Sequence, residues 1–330
     1  MKITVLGAGA WGSALAIHFA KQHHQVCLWA RNATHVQQMQ QQRSNERYLP
    51  NFAFPESLRV QHDLQDALKD TELVLIVTPV SGLRPILEQI KPLIQTHTPI
   101  MTACKGFEVS SGQLPHQVVR DVLPNQQYVA LLSGPSFAQE LAQQLPCAVT
   151  LASEQQTWIE QLCQELNSTV LRLYACHDVV GVAVGGALKN VMAIATGLCD
   201  GLQYGMNARA ALITRGLAEI NRLAQFLGAK EHTLMGLSGL GDLILTCTGG
   251  LSRNRQVGLK LAENKNLDTI LKELGHVAEG VYTVSEAHRL GQLHQISMPI
   301  TETLFALFNG ELTSEQVAQR LMMRTPTIEN

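Results

Sequence analysis

Short apolar runs alternate with segments of helical periodicity over the first half of the chain. Several of these runs are apolar almost throughout, as strands are when helices cover both faces of their sheet. Regular alternation of strands and helices is typical of a parallel, doubly wound sheet, because each helix returns the chain to the same edge. The predicted strands comprise residues 2–6, 26–29, 73–77, 100–104, 128–132, 148–151 and 170–174.

The pattern changes after about residue 178, where helical periodicity and helix-start residues continue without a convincing strand. The sequence therefore predicts an α/β domain with a doubly wound parallel sheet over residues 1–178. An all-helical domain is predicted over residues 179–330. Because no long linker or low-complexity tract separates the halves, we expect a packed junction near residues 176–185, where pockets often form.

Lys189 lies in a strongly apolar segment, residues 179–199, in which the Cys199 thiol is the only other ionisable group. A membrane helix is disfavoured, because a central lysine costs roughly 3 kcal/mol. A core helix whose lysine extends to the surface is a common alternative. The third interpretation is a buried lysine that transfers protons, since burial lowers a lysine pKa toward neutrality.

Small residues surround Lys189 on its predicted helical face, at spacings of three and four positions. Such a stripe leaves room beside the ammonium for another backbone, a cofactor or a substrate. A lysine that extends to solvent usually lies along large aliphatic side chains instead. The stripe therefore favours a pocket, and its members are Gly185, Gly186, Ala193, Thr196 and Gly197.

Composition narrows the class of protein. The 330 residues are 45% hydrophobic and 16% charged, which is typical of a globular protein with about two domains. A net charge near −2 without a basic run excludes the electrostatic surface that binds nucleic acid or an anionic membrane. Seven scattered cysteines without a CxxC and twelve histidines without an HExxH indicate a cytoplasmic protein with reduced thiols and no metal site. We expect the first residues to form a strand, not an export signal.

A glycine-rich turn follows the first predicted strand and begins a helix, with Gly7, Gly9 and Gly12 as its glycines. In a GxGxxG turn the first glycine permits a tight turn, the second lets the backbone approach a pyrophosphate, and the third allows close helix–strand packing. The helix N-terminus then faces the anion. An ordinary tight turn is the alternative, but the order strand, turn, helix, strand favours a dinucleotide site of the Rossmann type.

Arg31 follows the second predicted strand, where an NAD-specific site usually has an acidic residue that binds the ribose. A guanidinium at this position suits the 2′-phosphate of NADP or stacks on adenine. The alternative is a solvated loop arginine. We therefore expect NADP(H) to be favoured, or at least accepted beside NAD(H).

Other polar groups follow predicted strands and helix starts. Lys105 comes directly after a buried strand, where the carboxyl edge of the sheet faces a substrate, although an isolated lysine is more often a surface residue. Asp242 begins an apolar segment after a glycine-dense turn, and a helix N-cap is its simplest interpretation. The SRNR segment, residues 252–255, suits a phosphate cradle, with a capped helix bearing exposed arginines as an equal alternative.

Seven motifs occur in one order along nearly the whole chain: GAGAWG, CKGF, SGPSFAQEL, GGALKNVMAIATG, ARAALITRG, GLGDLILTC and SRNR. Together they resemble the NAD(P)-dependent glycerol-3-phosphate dehydrogenases of bacterial type. The resemblance implies reversible hydride transfer between C2 of sn-glycerol 3-phosphate and the nicotinamide, with dihydroxyacetone phosphate as the ketone. It also implies a homodimer that supplies glycerol phosphate for phospholipid synthesis.

The resemblance assigns roles to residues. It implies that Lys189 is the proton acceptor for the alcohol. Around this lysine it places Asn190, Asp242 and Thr246. The implied substrate contacts are Lys105, Gly134, Ser136, Lys189, Asp242, Ser252, Arg253 and Asn254. The implied cofactor contacts, besides the three glycines of the turn, are Ala10, Trp11, Arg31, Lys105, Ala138, Arg253, Val277 and Glu279.

Two other functions fit parts of the pattern. A β-hydroxyacid or sugar-acid dehydrogenase combines a similar sheet domain with a helix-borne lysine, and an arginine also binds a carboxylate. A non-catalytic NADPH sensor would need the glycine-rich turn but not Lys189. Departures from the family pattern are small: Ser13 replaces a more usual threonine, and Gly249-Gly250 stands before SRNR where polar residues are expected. Asp242 close to Lys189 would raise the lysine pKa and so oppose the effect of burial.

Overall fold

The computed structural model describes residues 1–109, 111–274 and 278–322. The chain divides into two units. The first comprises Met1–Glu108 and Gln113–Ala183, and the second comprises Val109–Gly112 and Val184–Asn330. All strands of the described residues lie in the first unit, whereas the described part of the second unit consists of helices, turns and loops.

Ten strands occur in the described residues. They are β1 (Lys2–Leu6), β2 (Gln25–Trp29), β3 (Ser44–Asn45), β4 (Leu49–Ala53), β5 (Arg59–Gln61), β6 (Leu73–Ile76), β7 (Ile100–Thr102), β8 (Val129–Ser133), β9 (Cys147–Ala152) and β10 (Leu171–Cys176). Eight of them form one sheet in the order β10-β9-β8-β7-β6-β1-β2-β5, and β3 pairs with β4 in a separate antiparallel hairpin. All seven predicted strands are present, whereas β3, β4 and β5 were not predicted.

The sheet is mostly parallel, which confirms the predicted α/β class, but two strands at one edge run the other way. β9 pairs antiparallel with β8, and β10 pairs parallel with β9. The only helix between β8 and β9 is α6 (Ala138–Ala142), which has five residues. At 1.5 Å per residue it spans about 7.5 Å, less than half of the roughly 17 Å of a five-residue strand. It is too short to carry the chain back along β8, so this pair departs from the predicted all-parallel arrangement.

Successive residues of a strand point to opposite faces of the sheet. Both faces of this sheet are apolar, and helices cover both of them. In β6, Leu73 and Leu75 belong to one buried apolar cluster, and Val74 and Ile76 belong to the other. This alternation makes the sheet doubly wound, as predicted. The remaining helices of the first unit are α1 (Ala10–Lys21), α2 (Ala33–Gln42), α3 (Leu64–Leu68), α4 (Leu83–Ile90), α5 (Pro115–Val122) and α7 (Gln156–Leu166).

The described residues of the second unit confirm the predicted helical domain. Its helices are α8 (Val179–Gly201), which begins just before the unit, α9 (Gly205–Phe226), α10 (Asp242–Thr248), α11 (Arg253–Leu261), α12 (Leu267–Leu274), α13 (Glu279–Leu293), α14 (Pro299–Phe308) and α15 (Ser314–Met322). Among the described helices only α8 is long and apolar enough to cross a membrane, yet 94% of its most apolar window is buried within the protein. Such burial is typical of the central helix of a folded domain.

Glu219 of α9 is a buried carboxyl group that caps a different helix. It accepts hydrogen bonds from the backbone amides of Ile300 (2.9 Å) and Thr301 (3.0 Å), and from the Thr301 hydroxyl (2.6 Å). Both amides lie in the first turn of α14, whose own N-cap, Met298, offers no side-chain acceptor. Desolvation raises the pKa of the Glu219 carboxyl and outweighs the three hydrogen bonds, which lower it.

We expect Glu219→Ala to lower the free energy of unfolding by about 3 kcal/mol, because three buried donors lose their acceptor. Glu219→Gln keeps one acceptor oxygen and should cost less. A raised folded-state pKa means that the native protein binds more protons than the unfolded chain. The contribution of Glu219 is therefore greatest below its unfolded pKa and is lost as the pH rises through the folded-state value. Urea unfolding at a series of increasing pH values measures this effect. Parallel pH trends for wild type and Glu219→Gln would contradict it.

Candidate active site

The glycine-rich turn has the geometry that its sequence predicts. Gly7 has a φ of +121°, and a Cβ at this position would lie 2.8 Å from the carbonyl oxygen of Val77. A Cβ on Gly12 would lie 1.9 Å from the carbonyl oxygen of Gly7, so α1 packs directly on the turn. Gly9 borders open space, since nothing lies within 4 Å of a Cβ built there. This is the position at which a pyrophosphate requires close backbone approach.

The start of α1 fits the pyrophosphate of a dinucleotide. Gly9 is the N-cap of this helix and no side chain caps it, while Ala10 and Trp11 are its first two residues. Backbone amides at an uncapped helix N-terminus attract a phosphate group. Arg31 follows β2, which is parallel to β1, so the exposed Arg31 side chain extends from the same carboxyl edge of the sheet. The residues present therefore fit the predicted cofactor.

Three predicted substrate contacts converge on one carbonyl group after β7 and β8. The Nζ of Lys105 donates a hydrogen bond of 3.4 Å to the carbonyl oxygen of Gly134, and the Ser136 hydroxyl donates one of 3.1 Å to the same oxygen. Gly134 has a φ of +141°, and a Cβ there would lie 2.9 Å from the Cα of Val149. A glycine is therefore required at this turn. Ala138, a predicted cofactor contact, begins α6 just beyond it.

Lys189 and Asp242 form a buried ion pair in the second unit. The Nζ of Lys189 lies 2.5 Å from Oδ1 of Asp242. Lys189 is 8% exposed and Asp242 is 1% exposed. A lysine this buried does not extend along the protein to solvent, so the surface interpretation is wrong. Asp242 is the first residue of α10 and not its N-cap, which is Gly241.

A π-helical turn precedes Asp242 and sets the position of its carboxylate. The turn spans Leu237–Gly241 and leads directly into α10. A Cβ on Gly239 would lie 2.1 Å from the carbonyl oxygen of Leu234, so this backbone path requires glycine. Single π-helical turns occur frequently at functional sites. The glycine-dense sequence before Asp242 is therefore explained by the backbone that carries the carboxylate to Lys189.

Thr246 lies one helical turn after Asp242. Its hydroxyl donates to the carbonyl oxygen of Asp242 at 2.6 Å and lies 3.4 Å from Oδ1 of the same residue. Burial raises the pKa of the neighbouring Cys247 thiol to about 12, so this group stays protonated and adds no charge beside the ion pair. Asn190 is buried next to Lys189 on α8, with an exposure of 5%. The ion pair and Thr246 thus form one contact cluster, with Asn190 adjacent in the chain.

The small residues on the Lys189 face of α8 accommodate backbone from other elements. A Cβ on Gly185 would lie 2.7 Å from the carbonyl oxygen of Ser238, in the π-helical turn. A Cβ on Gly197 would lie 2.1 Å from the carbonyl oxygen of Arg255, in α11. The sequence predicts that another backbone, a cofactor or a substrate lies beside this stripe. At Gly185 and Gly197 the neighbour is another backbone.

The SRNR segment begins α11. Ser252 is the N-cap, and its hydroxyl oxygen accepts a hydrogen bond of 3.3 Å from the backbone amide of Arg255. The side chain of Arg253 is exposed, and no carboxylate of the described residues pairs with it. Oδ1 of Asn254 accepts a hydrogen bond of 3.0 Å from the backbone amide of Gly280. The helix start is therefore capped as predicted, and it presents one exposed guanidinium in its first turn.

Glu279 and Val277 are the last two predicted cofactor contacts. Glu279 is the first residue of α13, directly before the amide that Asn254 binds. A Cβ on Gly280 would lie 2.8 Å from the carbonyl oxygen of Asn190, so this helix start approaches α8 closely. Glu279 therefore lies near Asn190 and Asn254. Val277 lies outside the described residues.

Asp200 is a charged residue near the start of α11 that no sequence motif indicates. Its Oδ2 lies 2.6 Å from Nη2 of Arg255 and 2.9 Å from Nη1 of Arg209. These contacts neutralise Arg255 and anchor the first turn of α11 to the end of α8. The sequence signal for it is an acidic residue directly after the apolar run of residues 179–199. Within the described residues no cluster of three histidine, cysteine or acidic side chains is suited to a metal ion.

The sheet unit with its open glycine turn and the helical unit with its buried lysine–aspartate pair define a nicotinamide-dependent dehydrogenase. Residues 2–159 match the N-terminal part of NAD-dependent glycerol-3-phosphate dehydrogenase, and residues 178–319 match its C-terminal part. The chain therefore belongs to the NAD-dependent glycerol-3-phosphate dehydrogenase family and is an NAD(P)-dependent oxidoreductase of the CH–OH group. The predicted family is confirmed.

Relatives match over the full chain. The glycerol-3-phosphate dehydrogenase of Neisseria meningitidis serogroup C is 61% identical over 329 residues, with 100% of both chains covered. That of Nitrosomonas eutropha is 52% identical, with 100% of this chain and 99% of the relative covered. The crystal structure of glycerol-3-phosphate dehydrogenase from Coxiella burnetii is 42% identical with a TM-score of 0.94, and 98% and 99% of the two chains are covered. A D-mandelate dehydrogenase with 16% identity and a TM-score of 0.65 shares the fold alone.

Proposed function

We propose that the chain interconverts sn-glycerol 3-phosphate and dihydroxyacetone phosphate, with Lys189 as the proton acceptor for the C2 hydroxyl. The observation that carries this proposal is the buried pair of Lys189 and Asp242, with 2.5 Å between Nζ and Oδ1. Burying two charges costs free energy that hydrophobic residues of the same volume would not. In a CH–OH dehydrogenase such a lysine supplies the proton transfer that alcohol oxidation needs.

The residues of this cluster have distinct roles in the proposed reaction. In the oxidative direction the neutral Nζ of Lys189 accepts the proton of the C2 hydroxyl, and in the reductive direction the ammonium returns it to the C2 oxygen. Asp242 accepts a hydrogen bond from Nζ and orients it. Thr246 donates to the Asp242 carbonyl oxygen and so holds the start of α10 in place. A nicotinamide cofactor held at the turn of Gly7, Gly9 and Ala10 would supply the hydride chemistry at C2.

The substrate phosphate is proposed to bind at the start of α11. The exposed guanidinium of Arg253 offers a planar fork of donors that matches a phosphate group. The bond from the Gly280 amide to Oδ1 of Asn254 fixes the orientation of the Asn254 side chain. Its NH₂ group is then available to donate to a phosphate. Ser252 adds a hydroxyl at the N-cap. Lys105, Gly134 and Ser136 are proposed as further substrate contacts on the strength of the family resemblance.

We expect the enzyme to reduce dihydroxyacetone phosphate with both cofactors and with the lower KM for NADPH. Arg31→Ala should raise the KM for NADPH about ten-fold, because a charge-assisted hydrogen bond to the 2′-phosphate is lost. The KM for NADH should stay within about two-fold. Steady-state assays with NADH and NADPH side by side check both statements. Arg59→Ala, which removes an exposed arginine at the amino end of β5, is the control and should change neither KM.

A panel of keto acids without phosphate in the same assay separates this proposal from a β-hydroxyacid dehydrogenase. Preferred turnover of a keto acid over dihydroxyacetone phosphate would assign the chain to that class. A protein that binds NADPH but reduces none of these carbonyls would be a sensor. Either result overturns the proposed reaction.

We also propose that the enzyme is a cytoplasmic homodimer that supplies glycerol phosphate for glycerophospholipid synthesis. The family resemblance supports all three statements. The dimer is supported as well by large apolar side chains at the start of α9, where Tyr204 is 46% exposed and Met206 is 69% exposed. The mass in solution distinguishes a dimer from a single chain of 36.1 kDa.

A further inference from the structure

We propose that Asn45 is a positioning residue that holds the glycine-rich turn in the shape that binds the dinucleotide. Its side chain is completely buried, with an exposure of 0%. Its Nδ2 donates to the carbonyl oxygen of Ala8 at 2.9 Å and to the hydroxyl oxygen of Ser13 at 2.7 Å. Ala8 lies between the first two glycines of the turn, and Ser13 follows the third. One amide group therefore binds both sides of the turn.

The oxygen of the same side chain binds the helix that follows Arg31. Oδ1 of Asn45 accepts a hydrogen bond of 3.0 Å from Nε2 of His35, which must carry the proton because the amide oxygen only accepts. His35 lies in the first turn of α2, where its backbone amide donates to the side chain of the N-cap Asn32 at 2.9 Å. Asn45 thus connects the pyrophosphate turn with the helix start next to the proposed 2′-phosphate site.

The connection through Asn45 matters because the glycine-rich turn is otherwise flexible. Glycines leave a chain conformationally permissive, so an unsupported GxGxxG turn would lose much of its freedom when a dinucleotide binds. A side chain that orders the turn beforehand removes part of this cost and strengthens binding. Asparagine is suited to the task because it offers two donors and an acceptor at once. Aspartate has the same shape, but its carboxylate would face the carbonyl oxygen of Ala8 without a proton to donate.

The inference rests on the proposed dinucleotide at Gly9, and equilibrium binding tests it without reliance on turnover. Titration with NADPH and NADH, followed by nicotinamide fluorescence, should show about ten-fold weaker binding of both to Asn45→Ala and Asn45→Asp. Both cofactors should be affected alike, since they share the pyrophosphate, whereas Arg31→Ala affects NADPH alone. The kcat at saturating cofactor should stay within about two-fold, because the turn is already ordered once the cofactor is bound.

Gln126→Ala is the matched control. Gln126 is also a buried amide of the first unit, and its Nε2 donates to the carbonyl oxygen of Thr98, but it precedes the amino end of β8. It should lose comparable stability and bind NADPH as wild type does. Equal weakening in Gln126→Ala, or wild-type affinity in Asn45→Ala, would overturn the proposal.

Ser13→Ala provides a milder variant, because it removes one acceptor of Asn45 and leaves the rest of the network. A loss of NADPH affinity of about three-fold is expected. If neither Asn45 variant folds, unchanged affinity in Ser13→Ala overturns the inference. A wild-type protein that binds NADPH but does not reduce dihydroxyacetone phosphate contradicts the proposed reaction and leaves the role of Asn45 intact.

Discussion

Lys189→Ala is expected to lower kcat for dihydroxyacetone phosphate reduction by about 10³-fold or more, because a positioned acid–base group contributes roughly 10² to 10⁴. The dissociation constant of NADPH should stay within about two-fold, since the cofactor binds through the glycine-rich turn and Arg31. Steady-state kinetics at saturating NADPH, together with fluorescence titration of the cofactor, measure the two quantities separately.

Two further variants and one chemical rescue establish that proton transfer is the cause. Lys189→Arg should be as inactive as Lys189→Ala, because a guanidinium keeps the charge but does not release its proton. Added methylamine should partly restore the alanine variant by supplying an amine at the vacated position. Lys260→Ala is the control, since Lys260 also pairs with a carboxylate, Glu273, at 2.6 Å in the same unit. Near-normal turnover in Lys189→Ala would eliminate the assignment.

The stability of these variants must be measured beside their activity. Lys189→Ala leaves the Asp242 carboxylate buried without its ammonium partner, which costs about 3–5 kcal/mol in comparable pairs. Adding Asp242→Asn removes that charge and should recover much of the stability. The double variant should nevertheless remain inactive. Recovery of turnover together with stability would show that Lys189 acts only as a structural counter-ion.

The parts of the fold that were predictable from the sequence are those with local causes. The seven predicted strands are mostly apolar runs, and the three glycines of the turn fall at the spacing of one short motif. β3 and β5 have two and three residues and are largely polar, so no apolar pattern marks them, whereas β7 is equally short but apolar. The reversal at β9 depends on the length of a five-residue helix, which the pattern did not reveal.

The sequence indicates candidate site residues but not the contacts between them. Lys189 stood out because its neighbours are apolar, and Asp242 because it follows a glycine-dense turn. Their pairing joins positions 53 residues apart, and no local pattern encodes it. The role of Asn45 is not predictable from the sequence for the same reason, since its partners Ala8 and Ser13 are 37 and 32 residues away. A buried polar side chain in a two-residue strand has no periodicity to mark it.

Arg253→Ala is expected to reduce kcat/KM for dihydroxyacetone phosphate by about 10² to 10³-fold, because a forked, charge-assisted contact to the phosphate is lost. Dihydroxyacetone, which lacks the phosphate, provides the diagnostic comparison. Wild type should strongly prefer the phosphorylated substrate, whereas the variant should lose most of that preference and keep its low activity with dihydroxyacetone. Arg320→Ala removes an exposed arginine of α15 and is the control.

The comparison of the two substrates separates phosphate binding from every other role of Arg253. A purely structural defect in α11 would lower turnover of both substrates in the same proportion, because Lys189 and Asp242 would be displaced for both. A lost cofactor contact would also act on both, and saturating NADPH would reverse it. Only a guanidinium that binds the phosphate itself makes the loss of kcat/KM specific to the phosphorylated ketone. An unchanged preference in Arg253→Ala would therefore move the phosphate site away from the start of α11, to groups such as Lys105.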